Sequence, residues 1–123
     1  MLSEIVIGIP LIRLDQVDST NSYAGLLMKC GDALEGTVIL AEVQTMGRGQ
    51  KGNTWESRKG MNLTFSFILR PTFLEARRHF CLLMSISMGL LDVLKQEGMI
   101  IQVKWPNDMV SAGRKIGGIL IEN

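Results

Sequence analysis

The stretch QTMGRGQKGNTWESRKG, residues 44–60, holds four basic residues, four glycines and one tryptophan. Glycine at this density is unfavourable inside a helix or a strand, because fixing its flexible backbone costs entropy. The stretch is therefore predicted to be a loop. Loops of this length within a compact domain are usually either functional or disordered. This loop is thus the first candidate for a binding site.

The segments around this loop carry strand and helix patterns. Thr37 to Val43 (TVILAEV) is a β-branched run that favours a buried strand, and Leu63 to Leu69 (LTFSFIL) is predicted to be another. Leu11 to Val17 alternates apolar and polar residues, as a half-buried strand does. Tyr23 to Cys30 is predicted to be a helix that follows the capping residues DSTN and is stopped by Gly31.

Beyond the loop the pattern changes to one long helix and a hairpin. The helical spacing from Phe73 to Gln96 is apolar on nearly every face, so we expect a helix that packs on both sides and is ended by Gly98. Ile101 to Trp105 is predicted to be a short strand. A second strand, Lys115 to Ile121 (KIGGILI), follows a turn at 111–114, which predicts a hairpin. Strands interleaved with two helices predict an α+β or α/β domain, with a mixed β-sheet and flanking helices.

The bulk composition narrows the classes of function. The 123 residues have the length of one domain, and thirteen basic against twelve acidic residues give a net charge of +1. This balance gives no reason to expect a nucleic-acid or membrane-surface protein. The most apolar run, Phe80 to Leu94, is shorter than the ~20 residues of a membrane span, and we expect no signal peptide. Cys30 and Cys81 are expected to be buried and reduced, as in a cytoplasmic protein.

The residues of the loop suit an anionic ligand. Gly47, Gly49 and Gly52 let backbone amides turn inward and approach a ligand closely. Arg48 and Lys51 add two positive charges. On this evidence alone a solvated, flexible loop explains GRGQKG equally well, because the segment is neither a Walker A loop nor a GxGxxG motif.

Three further features place polar or aromatic groups in defined positions. In KWPND, residues 104–108, Lys104 stands between a predicted strand and a rigid Trp-Pro turn, which suits a fixed charge on phosphate oxygens; an ordinary turn is the alternative. In DSTN, residues 18–21, the hydroxyls either cap the helix or bind a polar ligand head. Trp55 is suited to pinning the loop or stacking on a flat ring.

DSTNSYA (18–24), QTMGRGQKGNTWES (44–57) and KWPNDMVSAGRKIGGILIE (104–122) together resemble the biotin protein ligases, also called biotin–[acetyl-CoA-carboxylase] ligases. The resemblance covers nearly the whole chain in sequence order. It implies a class II synthetase-like catalytic domain, the fold of the biotin and lipoate ligases. It also implies an enzyme that converts biotin and ATP to biotinyl-5′-AMP with Mg²⁺. Biotin then passes to a lysine of a biotin carboxyl carrier protein.

The resemblance assigns roles to individual residues. The positions that match the family's biotin site are Ser19, Thr20, Asn21, Gln44, Gly47, Arg48, Gly49, Gln50 and Lys104. The positions that match the loop over the phosphate and the adenylate are Gly47, Arg48, Gly49, Lys51, Gly52 and Trp55. Lys104 and Arg48 take the catalytic roles, and no metal-binding residue is assigned. The family usually has arginine where Gln50 stands, which implies weaker adenylate retention unless Lys51 substitutes.

The resemblance also gives expectations about the extent of the chain. Residues 1–123 correspond to the N-terminal portion of the family's catalytic domain, without its C-terminal part and without the small β-barrel domain. We therefore expect this form to transfer no biotin by itself. We expect it to self-associate, as a homodimer or a strand-swapped pair, through the apolar segment Lys115 to Glu122. The DNA-binding domain of repressor-type members has no counterpart here, so no DNA partner is expected.

Two alternative functions are weighed against biotin ligation. A lipoate or octanoate ligase or transferase would share the fold, but DSTN with Q-x-x-G-R-G favours biotin. A nucleic-acid-binding module would use GRGQKG as a basic finger. It would need clustered bases and several stacking aromatics, whereas aromatic residues make up only 6% of the chain.

Overall fold

The computed structural model describes residues 4–123 and divides into two compact units. The first unit ends at Arg70, and its elements in chain order are β1 (Leu11–Val17), α1 (Thr20–Lys29), β2 (Val38–Gln44) and β3 (Thr64–Phe67). The second unit is Pro71–Asn123, and its elements are α2 (His79–Gln96), β4 (Gln102–Lys104), β5 (Asp108–Ser111) and β6 (Arg114–Gly118). The strands form two three-stranded sheets, β1-β2-β3 and β4-β5-β6, where the sequence predicted one mixed sheet.

The sheet of the first unit is mixed, as predicted for the domain. β1 and β2 run parallel, with Leu11 opposite Val38 and Val17 opposite Gln44. Parallel neighbours need a crossover connection, and α1 supplies it. β3 pairs antiparallel with β2, so that Ser66 lies opposite Ile39. This register brings the end of β2 beside the end of β1, from which the chain enters α1.

A small apolar core holds α1 on this sheet. Its buried members are Ala24, Ala33, Ile39 and Ile68. The half-buried residues packed on them are Leu14, Tyr23 and Leu27. Ile39 is fully buried on the central strand, because successive side chains of β2 alternate between the two faces of the sheet. The core therefore fixes the position of the first turn of α1 relative to β2 and β3.

Helix α1 begins at Thr20, three residues before the predicted start at Tyr23. Ser19 is the N-cap, with an extended backbone and a side-chain oxygen that accepts the Ser22 N–H at 3.0 Å. The prediction placed all of DSTN outside the helix, whereas Thr20 and the residue after it already lie within it. The stop at Gly31 is confirmed, since its φ of 77° is the left-handed value that ends many helices.

Helix α2 begins at His79, six residues after the predicted start at Phe73. The preceding residues form turns instead, with the Leu74 N–H bonded to the Pro71 carbonyl oxygen at 3.0 Å and one turn of 3-10 helix at Ala76–Arg78. The helical spacing of apolar residues in the sequence thus begins before the helix does, in residues that form turns.

The prediction that α2 packs on both sides is wrong. The residues that α2 buries are Leu83 and Ser87, whereas Phe80, Met88 and Val93 are 46%, 51% and 55% exposed. Many apolar side chains of α2 are therefore exposed and are not buried against the rest of the described chain. Within residues 4–123, neither α-helix is long and apolar enough to cross a membrane.

The sheet of the second unit is antiparallel, and β5 and β6 form a hairpin at the predicted turn. Ala112 and Gly113 connect them, with φ of 50° and 75°, the positive values that a two-residue type I′ turn requires. β5 was not predicted from the sequence, because Asp108 follows a Pro-Asn pair, which is typical of turns. β6 ends at Gly118, so residues 119–121 of the predicted strand lie outside it.

Both cysteines are exposed free thiols, contrary to the prediction that they are buried. Cys30 is the C-cap of α1, and Cys81 lies in the first turn of α2. The apolar character of a cysteine therefore contributes nothing to the core at either position.

Candidate functional site

The first turn of α1 is part of a buried polar cluster. Ser19 and Thr20 are only 3% and 4% exposed although both side chains are polar. Thr20 donates its backbone N–H to Gln44 Oε1 at 2.7 Å, and its hydroxyl lies 3.2 Å from the same oxygen. Because a backbone N–H only donates, this contact fixes the Gln44 oxygen toward Thr20 and turns the amide nitrogen away.

Ser66 on β3 also belongs to this cluster, although it was not predicted to be a site residue. Ser66 Oγ lies 2.7 Å from Thr20 Oγ1 and donates its proton to Asn21 Oδ1, so Thr20 is the donor in the Thr20–Ser66 contact. The signal was present in LTFSFIL, because strand alternation places Ser66 on the same face as the buried Ile68. The hydroxyl–amide cluster is defined here as Ser19, Thr20, Asn21, Gln44 and Ser66.

Gly47 lies where the loop passes close to two of its own neighbours. A Cβ at this position would lie 2.3 Å from the Trp55 carbonyl oxygen and 2.9 Å from Gln44 Nε2, both too short for non-bonded atoms. The Trp55 N–H donates to the Gly47 carbonyl oxygen at 2.8 Å. The sequence predicted that glycine serves approach to a ligand, whereas here it permits close approach of the chain to itself.

The rest of the loop folds back into a compact turn. Arg48 and Thr54 form an antiparallel bridge, and the Gly49 N–H donates to the Asn53 carbonyl oxygen at 2.7 Å. Between them, Gln50–Gly52 forms a tight turn in which Lys51 has a positive φ of 53°. The Gly49 amide, which was predicted to turn toward a ligand, is therefore used within the loop.

The two basic side chains of GRGQKG, Arg48 and Lys51, have different surroundings. Arg48 Nη2 donates to Ser22 Oγ on α1 at 2.9 Å. Ser22 in turn accepts the Ser19 hydroxyl at 2.8 Å, which links the guanidinium to the hydroxyl–amide cluster. Lys51 is exposed in the outer turn of the loop. Positive charge beside the cluster therefore comes from Arg48.

An open cleft of about 500 Å³ adjoins the cluster. Its lining residues are Gln44, Thr45, Trp55, Glu56, Ser57, Arg58 and Asn62. Gln44 belongs both to the cleft wall and to the hydroxyl–amide cluster, so a ligand in the cleft lies within reach of its amide. The volume is within the ~300–1,000 Å³ of typical small-molecule sites. Glu56, Ser57 and Asn62 were not predicted, because their composition is that of any polar loop.

Lys104 is the last residue of β4, in the second unit. Asp108 lies opposite it in the sheet, but the Asp108 carboxylate pairs with Lys115 at 2.9 Å. The exposed Lys104 ammonium therefore has no ion-pair partner among residues 4–123. The next residue, Trp105, contacts Phe80 with ring centroids 5.6 Å apart.

The first unit contains every predicted site residue except Lys104. Its inner group consists of Ser19, Thr20, Asn21, Gln44, Gly47, Arg48 and Trp55, and its outer turn of Gly49, Gln50, Lys51 and Gly52. In the part of the chain that the structure describes, no group of three or more His, Cys, Asp or Glu side chains is arranged to hold a metal ion.

Replacing Thr20 with valine tests the cluster. Valine keeps the shape of threonine and the N–H bond to Gln44, but it removes the hydroxyl that bonds the buried Ser66. We expect the free energy of unfolding to fall by about 1–3 kcal/mol, measured by urea titration. Thr20→Ser keeps the hydroxyl and should lose only about 1 kcal/mol for its missing methyl group. A Thr20→Val protein that is more stable than Thr20→Ser would contradict the assigned hydrogen bonds.

Comparison with known proteins places this geometry in context. Residues 14–123 match the family described as the biotin/lipoate A/B protein ligase family. The chain is 36% identical over 118 residues to the bifunctional ligase/repressor BirA of Bacillus spizizenii. The aligned region covers 95% of this chain and 36% of that protein. The chain therefore spans about a third of the length of this curated relative.

The solved structures that are similar to the chain include two biotin-handling enzymes. The biotin acetyl coenzyme A carboxylase synthetase of Helicobacter pylori with bound biotinylated ATP has a TM-score of 0.77 and 30% identity, covering 92% of this chain and 54% of that one. The biotin protein ligase of Aquifex aeolicus in complex with biotin and ATP has a TM-score of 0.68 and 36% identity, covering 92% and 46%.

Proposed function

The chain belongs to the biotin/lipoate A/B protein ligase family, and from that premise we propose that it forms the biotin-recognition part of an ATP-dependent biotin–protein ligase. The partner is a biotin carboxyl carrier protein. The two solved structures described above are of proteins named for biotin chemistry, and each contains biotin with ATP or a biotinylated nucleotide. Their likeness to this chain supports the proposal.

The observation that carries the proposal is the hydroxyl–amide cluster, whose member Gln44 lines the cleft. The head of biotin is a ureido group, with one carbonyl oxygen and two N–H groups. Hydroxyls and side-chain amides both donate and accept hydrogen bonds, so they match such a group on both counts. We assign the biotin head to Ser19, Thr20 and Asn21 on α1 and to Gln44, which the Thr20 contact holds beside them.

In the first half-reaction a carboxylate oxygen of biotin attacks the α-phosphorus of ATP, and the bond to pyrophosphate breaks. Both reactants are anionic, so their approach requires compensating positive charge. Arg48, which Ser22 holds beside α1, and Lys104 at the end of β4 are the groups that we assign to it. Each well-placed donor contributes ~3 kcal/mol to such a transition state. Mg²⁺ would be supplied with ATP, where it would offset the negative charge of the phosphates.

The loop has a second role in this proposal, the exclusion of water. Biotinyl-5′-AMP is a mixed anhydride that hydrolyses readily, so it must be covered until the carrier arrives. Gly52, with φ of 79°, permits the sharp turn of the loop, and Trp55 anchors it at the cleft wall. The carrier lysine then attacks the acyl carbon of the adenylate, AMP leaves, and an amide forms.

Pyrophosphate release distinguishes biotin from lipoate, the other substrate that the family accepts. The intact protein that carries this chain should release pyrophosphate with ATP, Mg²⁺ and biotin, and mass spectrometry should detect biotinyl-5′-AMP. Omitting Mg²⁺ should abolish the reaction. Faster release with lipoate would assign the site to lipoate, and no release with either acid would overturn the proposed function.

Self-association through the second sheet is part of the proposal. β6 is the end strand of β4-β5-β6, and its Ile116 is 43% exposed. End strands are templates for another chain, although charged residues such as Arg114 and Lys115 weaken that pairing. We therefore expect a weak dimer of the 13.6 kDa chain. Light scattering over a concentration series should show the mass rising with concentration, and a constant monomer mass would contradict the dimer.

A further inference from the structure

Ser22 joins the loop to the cap of α1. Its hydroxyl oxygen accepts two hydrogen bonds, from Arg48 Nη2 at 2.9 Å and from the Ser19 hydroxyl at 2.8 Å. Its backbone N–H donates to Ser19 Oγ at 3.0 Å. Ser22 is thus the point at which a charged loop side chain meets the buried polar cluster.

We propose that Ser22 is a positioning residue for Arg48 in adenylate formation, an inference that rests on the proposed function. An arginine side chain on a glycine-rich loop has many rotamers, and each one that misses the phosphate lowers the rate. A guanidinium only donates hydrogen bonds, so it needs an acceptor to be held in place. The Ser22 oxygen is an acceptor for it, and the core under α1 fixes the position of that oxygen.

A substitution at Ser22 can remove the contact with Arg48 without removing the cap of α1. Ser19 caps α1 with its own oxygen, which accepts the Ser22 backbone N–H. Ser22→Ala keeps this N–H and therefore keeps the cap. It removes the hydroxyl that holds Arg48 and that also accepts the Ser19 hydroxyl. Ser22→Thr keeps the hydroxyl, so it should restore the position of the arginine.

A double-mutant cycle on Ser22 and Arg48 tests the proposal in the intact protein. The measurement is kcat/KM for pyrophosphate release with biotin and ATP. Ser22→Ala should lower it about three- to tenfold, and Ser22→Thr should retain activity within about twofold of wild type. In an Arg48→Ala background the same Ser22→Ala change should have an effect of less than about twofold, because the group that it positions is already gone.

The controls make the outcomes distinct. Ser85→Ala removes another helix serine, whose hydroxyl bonds the Cys81 carbonyl oxygen in the second unit, and should leave kcat/KM unchanged. The unfolding temperature of Ser22→Ala should fall only slightly, because the Ser19 hydroxyl loses its acceptor while the cap of α1 remains. An equal effect of Ser22→Ala with and without Arg48, or no effect in either background, would overturn the positioning role. A wild-type protein that forms no adenylate would instead refute the proposed function.

Discussion

Lys104→Ala in the intact protein should lower the rate of adenylate formation by at least ~100-fold. Lys104 stands at the end of β4, and the nearby Asp108 is neutralised by Lys115, so the ammonium remains available for an anionic substrate. Its removal leaves the negative charge of the carboxylate and the phosphate without one compensating group. Pyrophosphate release at saturating biotin and ATP measures the effect.

Two further variants serve as a control and a comparison for Lys104→Ala. Lys95→Ala removes a lysine from the last turn of α2 and should leave the rate unchanged. Lys104→Arg keeps the charge but should still impair the reaction, because a planar guanidinium does not replace a compact ammonium. An unchanged rate in Lys104→Ala would remove Lys104 from the mechanism.

Gly47→Ala should lower the affinity for biotin by about 100-fold and the free energy of unfolding by about 1–3 kcal/mol. The added Cβ would lie 2.3 Å from the Trp55 carbonyl oxygen, which belongs to the backbone and cannot rotate away. It would also lie 2.9 Å from Gln44 Nε2. The loop and the Gln44 amide must therefore both shift, and both are assigned to the ligand site. Calorimetric titration and urea unfolding measure the two effects.

Gly25→Ala is the matched control for this substitution. A Cβ at Gly25 would meet no atom within 4 Å, and the residue lies inside α1. Alanine should therefore stabilise the protein by about 0.5–1 kcal/mol and leave biotin affinity unchanged. Equal biotin affinity in Gly47→Ala and wild type would show that close approach at Gly47 does not shape the site.

Much of the first unit was predictable because its signals are local. The period-2 pattern of Leu11–Val17 gives the strand with its observed bounds, and the β-branched run gives β2 within one residue. The local sequence pattern gave wrong boundaries where tertiary packing determines the secondary structure. Phe73 to Gln96 has helical spacing throughout, yet the chain makes turns before His79. A Pro-Asn-Asp sequence indicates a turn, although Asp108 begins β5.

Part of the candidate site was likewise predictable from the sequence, and part was not. DSTN and the glycine loop were identifiable from their composition, and the structure brings Thr20 and Gln44 into direct contact across 24 positions. Ser66 and Ser22 were not identified, because one serine in a strand or a helix carries no signal of its partners. Their roles follow from register and helical phase, which place Ser66 under Thr20 and Ser22 beside Arg48. Position in the fold, and not residue type, distinguishes them.

Isothermal titration of the chain with biotin and, separately, with lipoate tests the central claim most directly. The hydroxyl–amide cluster and the adjoining cleft predict saturable binding of one biotin per chain. They also predict affinity for lipoate at least about tenfold weaker, because lipoate lacks the ureido group that these side chains match. Absence of biotin binding, or tighter binding of lipoate than of biotin, would contradict the account.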